Sequence, residues 1–401
     1  MANTFVTNKL ADFVSGRLAA SAPYLTVGAK SYFGDQLAGK RNGQSYEFVL
    51  KDVGKVVDGL DVSNNVSTLT ERKVTKTIGL KNIPVQTNAI EAITDVKWDE
   101  EIAKPNGKAL AEGIVQDVIA EDIPACNMAV IGKGWLPLSK ASRLLASITS
   151  EDKFGFIDPE IESIVDATGK GFKPVTAEPI NDRGILGSSF GTEWRQQQFF
   201  PQVSISEALA QELESATVSS YVDAGDGTAT LTLSGVTEVI PAGTPIQIEG
   251  VFATNLIGNK TSSLKAWIAM EDATAGAVKV KAADLSGQGT KEACDKNGDA
   301  LTASSLAGLK VRPIESGDYF MGIVRAQGAF ELDTLKKLDW SNAELSTEGV
   351  EGISVLSARA VDVLKGTNVT RFSVAGIYGI IDGRMAVAVY VKDGQPNLVT
   401  L

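Results

Sequence analysis

The 401-residue sequence contains no histidine. That absence excludes Ser-His-Asp and Cys-His catalysis, histidine general bases, and histidine-ligated zinc or iron. Only two cysteines occur, Cys126 and Cys294, in unlike segments, and they read as reduced thiols in a cytoplasmic protein. Long apolar runs are missing too: the longest, such as residues 385–391, fall far short of the ~20 residues a membrane span needs. Lys9, Asp12 and Arg17 interrupt the start of the chain, so no signal peptide is expected there. Cations are the minority charge, with 38 Lys and Arg against 49 Asp and Glu and a net charge of −11. This balance argues against a surface built to grip nucleic acid, because affinity for phosphates comes largely from clustered cations.

Motifs that carry chemistry are equally sparse. The stretch DKNGD, with Asp295, Asn297 and Asp299, has the alternating oxygen donors of half a calcium loop but lacks the closing glutamate, and reads as a polar turn. The glycines at 169, 171, 187 and 191 match neither GxGxxG nor GxxxxGK[ST]. Neighbouring acids, Glu100 with Glu101 and Glu160 with Glu162, read as a solvated helix face, and Ser139-Lys140 as ordinary helix. No catalytic residue, metal ligand or cofactor is assigned, and no enzyme is expected.

What the sequence does contain is an order of elements. The length exceeds the roughly 250–300 residues at which one core stops growing, so more than one packed unit is expected. Val6, Leu10 and Phe13 fall at helical spacing near the start. Alternation over 46–50 and again over 74–80 brackets a polar stretch with Lys51, Lys55, Asp58, Asp61, Arg72 and Lys73, which predicts an extended β-hairpin. A helix is expected from Asn88, interrupted or restarted at Pro105, with a stripe of Leu110, Ala111, Ile114, Val115 and Val118 and a stop at Pro124. Further helices follow at 137–148 and after Asp158-Pro159. From about Ala216 to Val311 the pattern becomes short strands at roughly ten-residue spacing, such as TATLTLSG and TPIQIEGV, which predicts a small barrel or sandwich. A helix around 331–338 and a hairpin turning at Asp382-Gly383 complete the chain.

Two stretches carry a family resemblance. GTPIQIEGVFATNLIGNKTSSLKAWIAM (243–270) has a strand ending in Gly250-Val251, an Asn255-containing loop with Lys260-Thr261, and a strand with Leu264 and Trp267. GISVLSARAVDVLKGTNVTRFSVAGIYGIIDGRMAVAVYV (352–391) carries Arg371, Tyr378-Gly379 and a closing strand from Ala386 to Val389. Together with the element order they resemble the major capsid proteins of tailed double-stranded DNA phages with the HK97-type fold, in the P22-like branch that carries an inserted β domain.

The resemblance implies an α+β chain with an N-terminal arm (1–30), an extended hairpin region (31–88), a spine helix region (89–132), peripheral and axial parts (133–216 and 314–401) and an inserted antiparallel β-barrel or sandwich (217–313). It implies a shell of hexamers and pentamers, assembled in the host cytoplasm around a scaffolding protein, meeting a portal and in some shells a decoration protein. The finished virion would enclose double-stranded DNA without sequence-specific binding or a membrane. On this reading Val6, Leu10 and Phe13, the hairpin residues Lys51, Lys55, Asp58, Asp61, Arg72 and Lys73, and the loop residues Asn255, Asn259, Lys260 and Thr261 meet neighbouring subunits. The loop from 255 to 263 would reach across to the next capsomer. The alternatives are an encapsulin-like nanocompartment shell and, further off, a secreted β-rich adhesin or surface-layer protein. Covalent Lys–Asn cross-linking between subunits is a further option.

Overall fold

The computed structural model describes residues 22–31, 43–51, 71–88, 104–167, 185–287, 289–335, 344–350, 353–362 and 367–394. The expected N-terminal helix with Val6, Leu10 and Phe13, the hairpin tip with Lys55, Asp58 and Asp61, and the stretch from 89 to 103 lie outside these residues.

After the short strand β1 (Ala29–Lys30), strands β2 (Ser45–Lys51) and β3 (Glu71–Thr77) pair antiparallel from Ser45↔Thr77 to Lys51↔Glu71. Period-two alternation gives this ribbon two faces. Phe48 packs with Ile78, Leu335, Leu356 and Ile377 in a small core, while Glu71, Lys73, Thr75 and Thr77 point to solvent. Neither strand of the ribbon pairs with a third strand among the described residues. Strand β4 (Gly79–Asn88) follows at once and joins a different sheet.

Helix α1 (Lys104–Ala125) begins where Pro105 can occupy a first turn without losing a hydrogen bond. Its apolar stripe, Leu110, Ala111, Ile114, Val115 and Val118, is buried, and Gln116, Asp117 and Glu121 are exposed. Pro124 sits in the last turn and the helix stops one residue later. The chain continues through β5 (Met128–Lys133), α2 (Leu136–Ile148), β6 (Lys153–Ile157) and α3 (Pro159–Ala167), then β7 (Ile185–Ser189), β8 (Thr192–Gln196) and β9 (Val203–Ile205). Helix α4 (Glu207–Ser215) is capped by Ser206, whose hydroxyl accepts from the Leu209 amide at 3.1 Å.

The central block supplies β10 (Thr217–Asp223), β11 (Thr228–Ser234), β12 (Pro245–Thr254), β13 (Lys260–Ile268), β14 (Ala277–Lys281) and β15 (Ala293–Cys294). Strands β10, β11 and β14 form a three-stranded antiparallel sheet of their own. Strands β12, β13 and β15 instead extend the main sheet, through the single pair Lys265↔Met128 to β5. The block therefore shares a core with the rest of the chain: Ile246 and Trp267 lie in one cluster with Ile114 and Ile119 of α1.

The remaining strands are β16 (Gly317–Ala326), β17 (Phe330–Thr334), β18 (Glu344–Val350), β19 (Ile353–Asp362), β20 (Thr367–Ile380) and β21 (Ala386–Lys392). A ten-stranded sheet runs β15-β12-β13-β5-β21-β16-β6-β8-β7, with β9 on the outer end of β16. A six-stranded sheet runs β1-β17-β20-β19-β18, and β4 pairs with Thr367–Gly376 of the 14-residue β20 along the edge opposite β19.

Two sequence expectations change here. The stretch expected as a helix at 331–338 is strand β17 over Glu331–Thr334, because each residue from Phe330 to Thr334 is buried and paired with β20, with β1 flanking Phe330 and Glu331. The hairpin expected at Asp382-Gly383 is a crossing between sheets: β20 belongs to the six-stranded sheet and β21 to the ten-stranded one, parallel to β5. A single 3₁₀ turn at Gly383–Met385 makes the crossing, and it is pinned to the end of α1. The Asn127 amide donates to the Gly383 carbonyl at 2.9 Å, and a Cβ on Gly383 would lie 1.9 Å from the Ala125 carbonyl oxygen. Close approach, rather than a two-residue β-turn, is what that glycine provides.

Candidate assembly surfaces

The hairpin residues predicted to meet a neighbour are partly engaged at home. Arg72 forms an ion pair with Glu292 of the central block. Burial alone would depress the Arg72 pKa, but the adjacent Glu292 carboxylate more than reverses this and leaves it above its ordinary value. The Glu292 main chain is held in turn, its carbonyl accepting from Asn127 Nδ2 at 3.0 Å. Hairpin, central block and the end of α1 are thus tied at one point. Lys73, by contrast, is exposed and pairs across the ribbon with Glu47 at 2.7 Å; this bond and the carboxylate's charge raise its pKa. Lys51 ends β2, with its main chain paired to Glu71.

The expected loop from 255 to 263 is much shorter. Asn255 Oδ1 accepts from the amides of Ile257 and Asn259 at 3.1 and 2.9 Å, which closes a tight turn, and β13 already begins at Lys260. Thr261 turns inward and donates to the Ala253 carbonyl at 2.8 Å. Lys260 lies 4.2 Å from the centre of the Phe252 ring and donates to the Lys296 carbonyl at 2.7 Å. Lys296 belongs to DKNGD, where Asp295 Oδ1 accepts from the amides of Asn297 and Asp299, each at 2.8 Å. Both oxygens of that motif's first aspartate serve the turn. The two turns stand side by side as one firm tip, with Ile257 about half exposed at its end. Of the predicted loop residues, Asn255, Lys260 and Thr261 shape the tip, and the Asn259 amide closes it.

Sequence reading missed a buried polar network. Asp122 of α1 accepts from Tyr24 Oη at 2.8 Å and from the Ile380 amide at 2.7 Å. Burial raises its pKa, against the pull of Lys76 and Arg325. Arg325 on β16 is fully buried, 4.7 Å from the Tyr24 ring, 4.8 Å from Phe156 and 3.8 Å from Phe330, and donates to the carbonyls of Tyr24 and Val27. A second buried pair, Asp382 with Arg384 at 2.8 Å, braces the crossing between sheets, and Arg384 also donates to the Gly289 carbonyl at 2.5 Å. Lys265 is buried beside Trp267, and burial brings its pKa down to about 8 despite the attraction of Glu292. The only hint of these sites in the sequence is a lone charge inside an apolar run, as in MGIVRA (321–326).

Among the described residues no group of three or more Cys, Asp or Glu is placed to hold a metal ion. Both cysteines are buried free thiols.

No family model matches the sequence, and no curated protein matches it. The structure is similar to solved structures of shells. One is the capsid of the cyanophage P-SCSP1u, at 11% identity and a TM-score of 0.40 over 89% of this chain and 86% of that one. Another is the capsid of Ralstonia phage GP4, at 8% identity and a TM-score of 0.44 over 94% and 90%. A third is a virus-like particle from Pyrococcus furiosus, at 10% identity and a TM-score of 0.38 over 95% and 97%.

Proposed function

We propose that this chain is the structural coat subunit of a tailed phage, assembling through complementary edges into a closed shell. The observation that carries the reading is the β2–β3 ribbon. It forms a two-stranded sheet apart from the two large ones, rests one face on the core, and leaves the other charged and in solvent. A two-stranded ribbon is marginal on its own in water, so a face left open beyond its docked base calls for a neighbour. The order around it supports the same reading: ribbon, long helix, a central β block fused to the main sheet, and a return of the chain to close both sheets.

A shell needs no pocket chemistry. Each contact can be weak, because a closed lattice multiplies many contacts into high stability. Mixed charges on the ribbon set register more than affinity. The N-terminal stretch with Val6, Leu10 and Phe13 would meet a scaffold or a neighbour, and the firm tip at Asn255–Lys260 would touch an adjacent capsomer. An acidic chain of net charge −11 would enclose double-stranded DNA without holding it fast.

Sedimentation velocity of the purified chain, with and without a co-expressed scaffolding protein, tests this. Fast-sedimenting polymers are expected, and Lys51→Glu with Lys55→Glu should reduce them while leaving the circular dichroism of the subunit unchanged. A chain that stays monomeric under every condition contradicts the reading. Co-purification of a cargo enzyme in place of a scaffold would assign the shell to a nanocompartment.

A further inference from the structure

The ten-stranded sheet contains a gap. Strands β13 and β5 are paired only at Lys265↔Met128 and then part, and a groove of about 700 Å³ opens between them. Main-chain groups of β5 on this side are used at first. The Asn127 carbonyl accepts from the Ala266 amide at 3.1 Å, and the Ala129 carbonyl accepts from Gln247 Nε2 at 2.9 Å. By the alternation of a strand, Ile131 and Lys133 present their N–H and C=O groups to the same side. No strand lies opposite Ile131 there among the described residues. A strand edge left open in this way is a template for another strand.

The walls of the groove carry charge of one sign. Lys133, Lys140, Arg143, Arg312 and Lys392 line it, against a single lining carboxylate, Glu315. Glu315 lies 2.7 Å from Lys133 and 3.9 Å from Lys392, so it is already shared between two lysines. Lys140, Arg143 and Arg312 have no acidic partner among the described residues. Five cations against one carboxylate make a basic cleft on a chain whose net charge is −11. Leu136, Leu144 and Ile314 add apolar wall.

The geometry points to an acidic, extended segment of a second copy of this chain as the occupant, added to the free edge of β5 with its carboxylates on Lys140, Arg143 and Arg312. The choice of a second copy rests on the shell reading and on charge. The densest acidic stretch of the sequence is 95–101, with Asp95, Asp99, Glu100 and Glu101 in seven residues, and on this proposal it binds as a strand in place of the helix expected there. From Val130 to Lys133 the edge offers room for about four residues at ~3.3 Å each. A nucleic-acid backbone would use the cations but leave the strand edge unsatisfied, which is why a peptide is favoured. Arginine in particular matches carboxylates with two parallel hydrogen bonds.

Fluorescence anisotropy of a fluorescein-labelled peptide of residues 93–103, titrated with the full-length monomeric chain, tests this. Saturable binding is expected. The variant Lys140→Glu/Arg143→Glu/Arg312→Glu should weaken it at least tenfold with circular dichroism unchanged. If that variant fails to fold, Lys140→Gln/Arg312→Gln should weaken binding at least threefold. No binding to the wild-type chain, or equal binding by a folded variant, overturns the proposal. Binding of a deoxythymidine oligonucleotide in place of the peptide also overturns it. A chain that binds the peptide yet forms no polymers would contradict the shell reading and leave the groove assignment standing.

Discussion

Asp122 is the point at which three distant pieces of sequence meet, since it takes hydrogen bonds from Tyr24 and from the Ile380 amide while itself belonging to α1. A buried acceptor serving two donors is costly to remove, because both donors are left without partners and without water. Asp122→Ala is expected to lower stability by about 2–4 kcal/mol in urea unfolding, and a loss below about 0.5 kcal/mol would contradict the role given to it. Lys265 acts in the opposite direction. Burial pulls its pKa from 10.5 down to about 8, so between those values the unfolded chain holds the extra proton. Stability should therefore rise as pH climbs from about 8 to 10.5, and the full cost of the buried charge is present below 8. Lys265→Met should be more stable near pH 7 by on the order of 2 kcal/mol and should lose that slope, read from unfolding at a series of pH values. A less stable variant with the slope intact would contradict this.

Among the elements, the ion pair Arg72–Glu292 decides whether hairpin and central block behave as one piece. Arg72→Met strands a buried carboxylate and is expected to cost about 3 kcal/mol, whereas adding Glu292→Met should restore most of it, since a buried pair can be exchanged for apolar groups at little loss. Hydrogen exchange of β3 amides should rise in the single variant and fall back in the double. Gly383→Ala should fail to accumulate as folded protein, because its methyl group would overlap the Ala125 carbonyl; a well-folded variant would contradict the crossing described here. Elements governed by local pattern were legible from sequence. The ribbon, α1 with its stop at Pro124, α2 and α3 follow from alternation, helical spacing and proline. Where neighbours decide, the reading failed. Asp382-Gly383 carries the local signal of a hairpin, but β21 finds its partners in β5 and β16. Phe330–Thr334 is strand because it is buried and paired along its length with β20. The candidate surfaces were legible only in part. Charge in a polar stretch marks a hairpin but does not say that Arg72 turns home to Glu292 while Lys73 stays in solvent. The groove beside β5 was invisible, since its cations come from four separate segments and its open edge from where two strands part.

For the molecule as a whole, the central block is not an appendage. It continues the main sheet through β13 and β5 and shares one core with α1, so its folding and that of the rest are coupled. Chain-wide acid excess, a ribbon with one face in solvent, a firm tip and a basic cleft are the features on which the proposed shell subunit rests. The central claim is that such subunits close into a shell. Electron microscopy of the protein, expressed alone and then with the genes that flank its own, tests it most directly. Closed shells, or curved sheets and spirals when the scaffold is missing, are the predicted result. Uniform monomers in every preparation, with the subunit folded by circular dichroism, would contradict it.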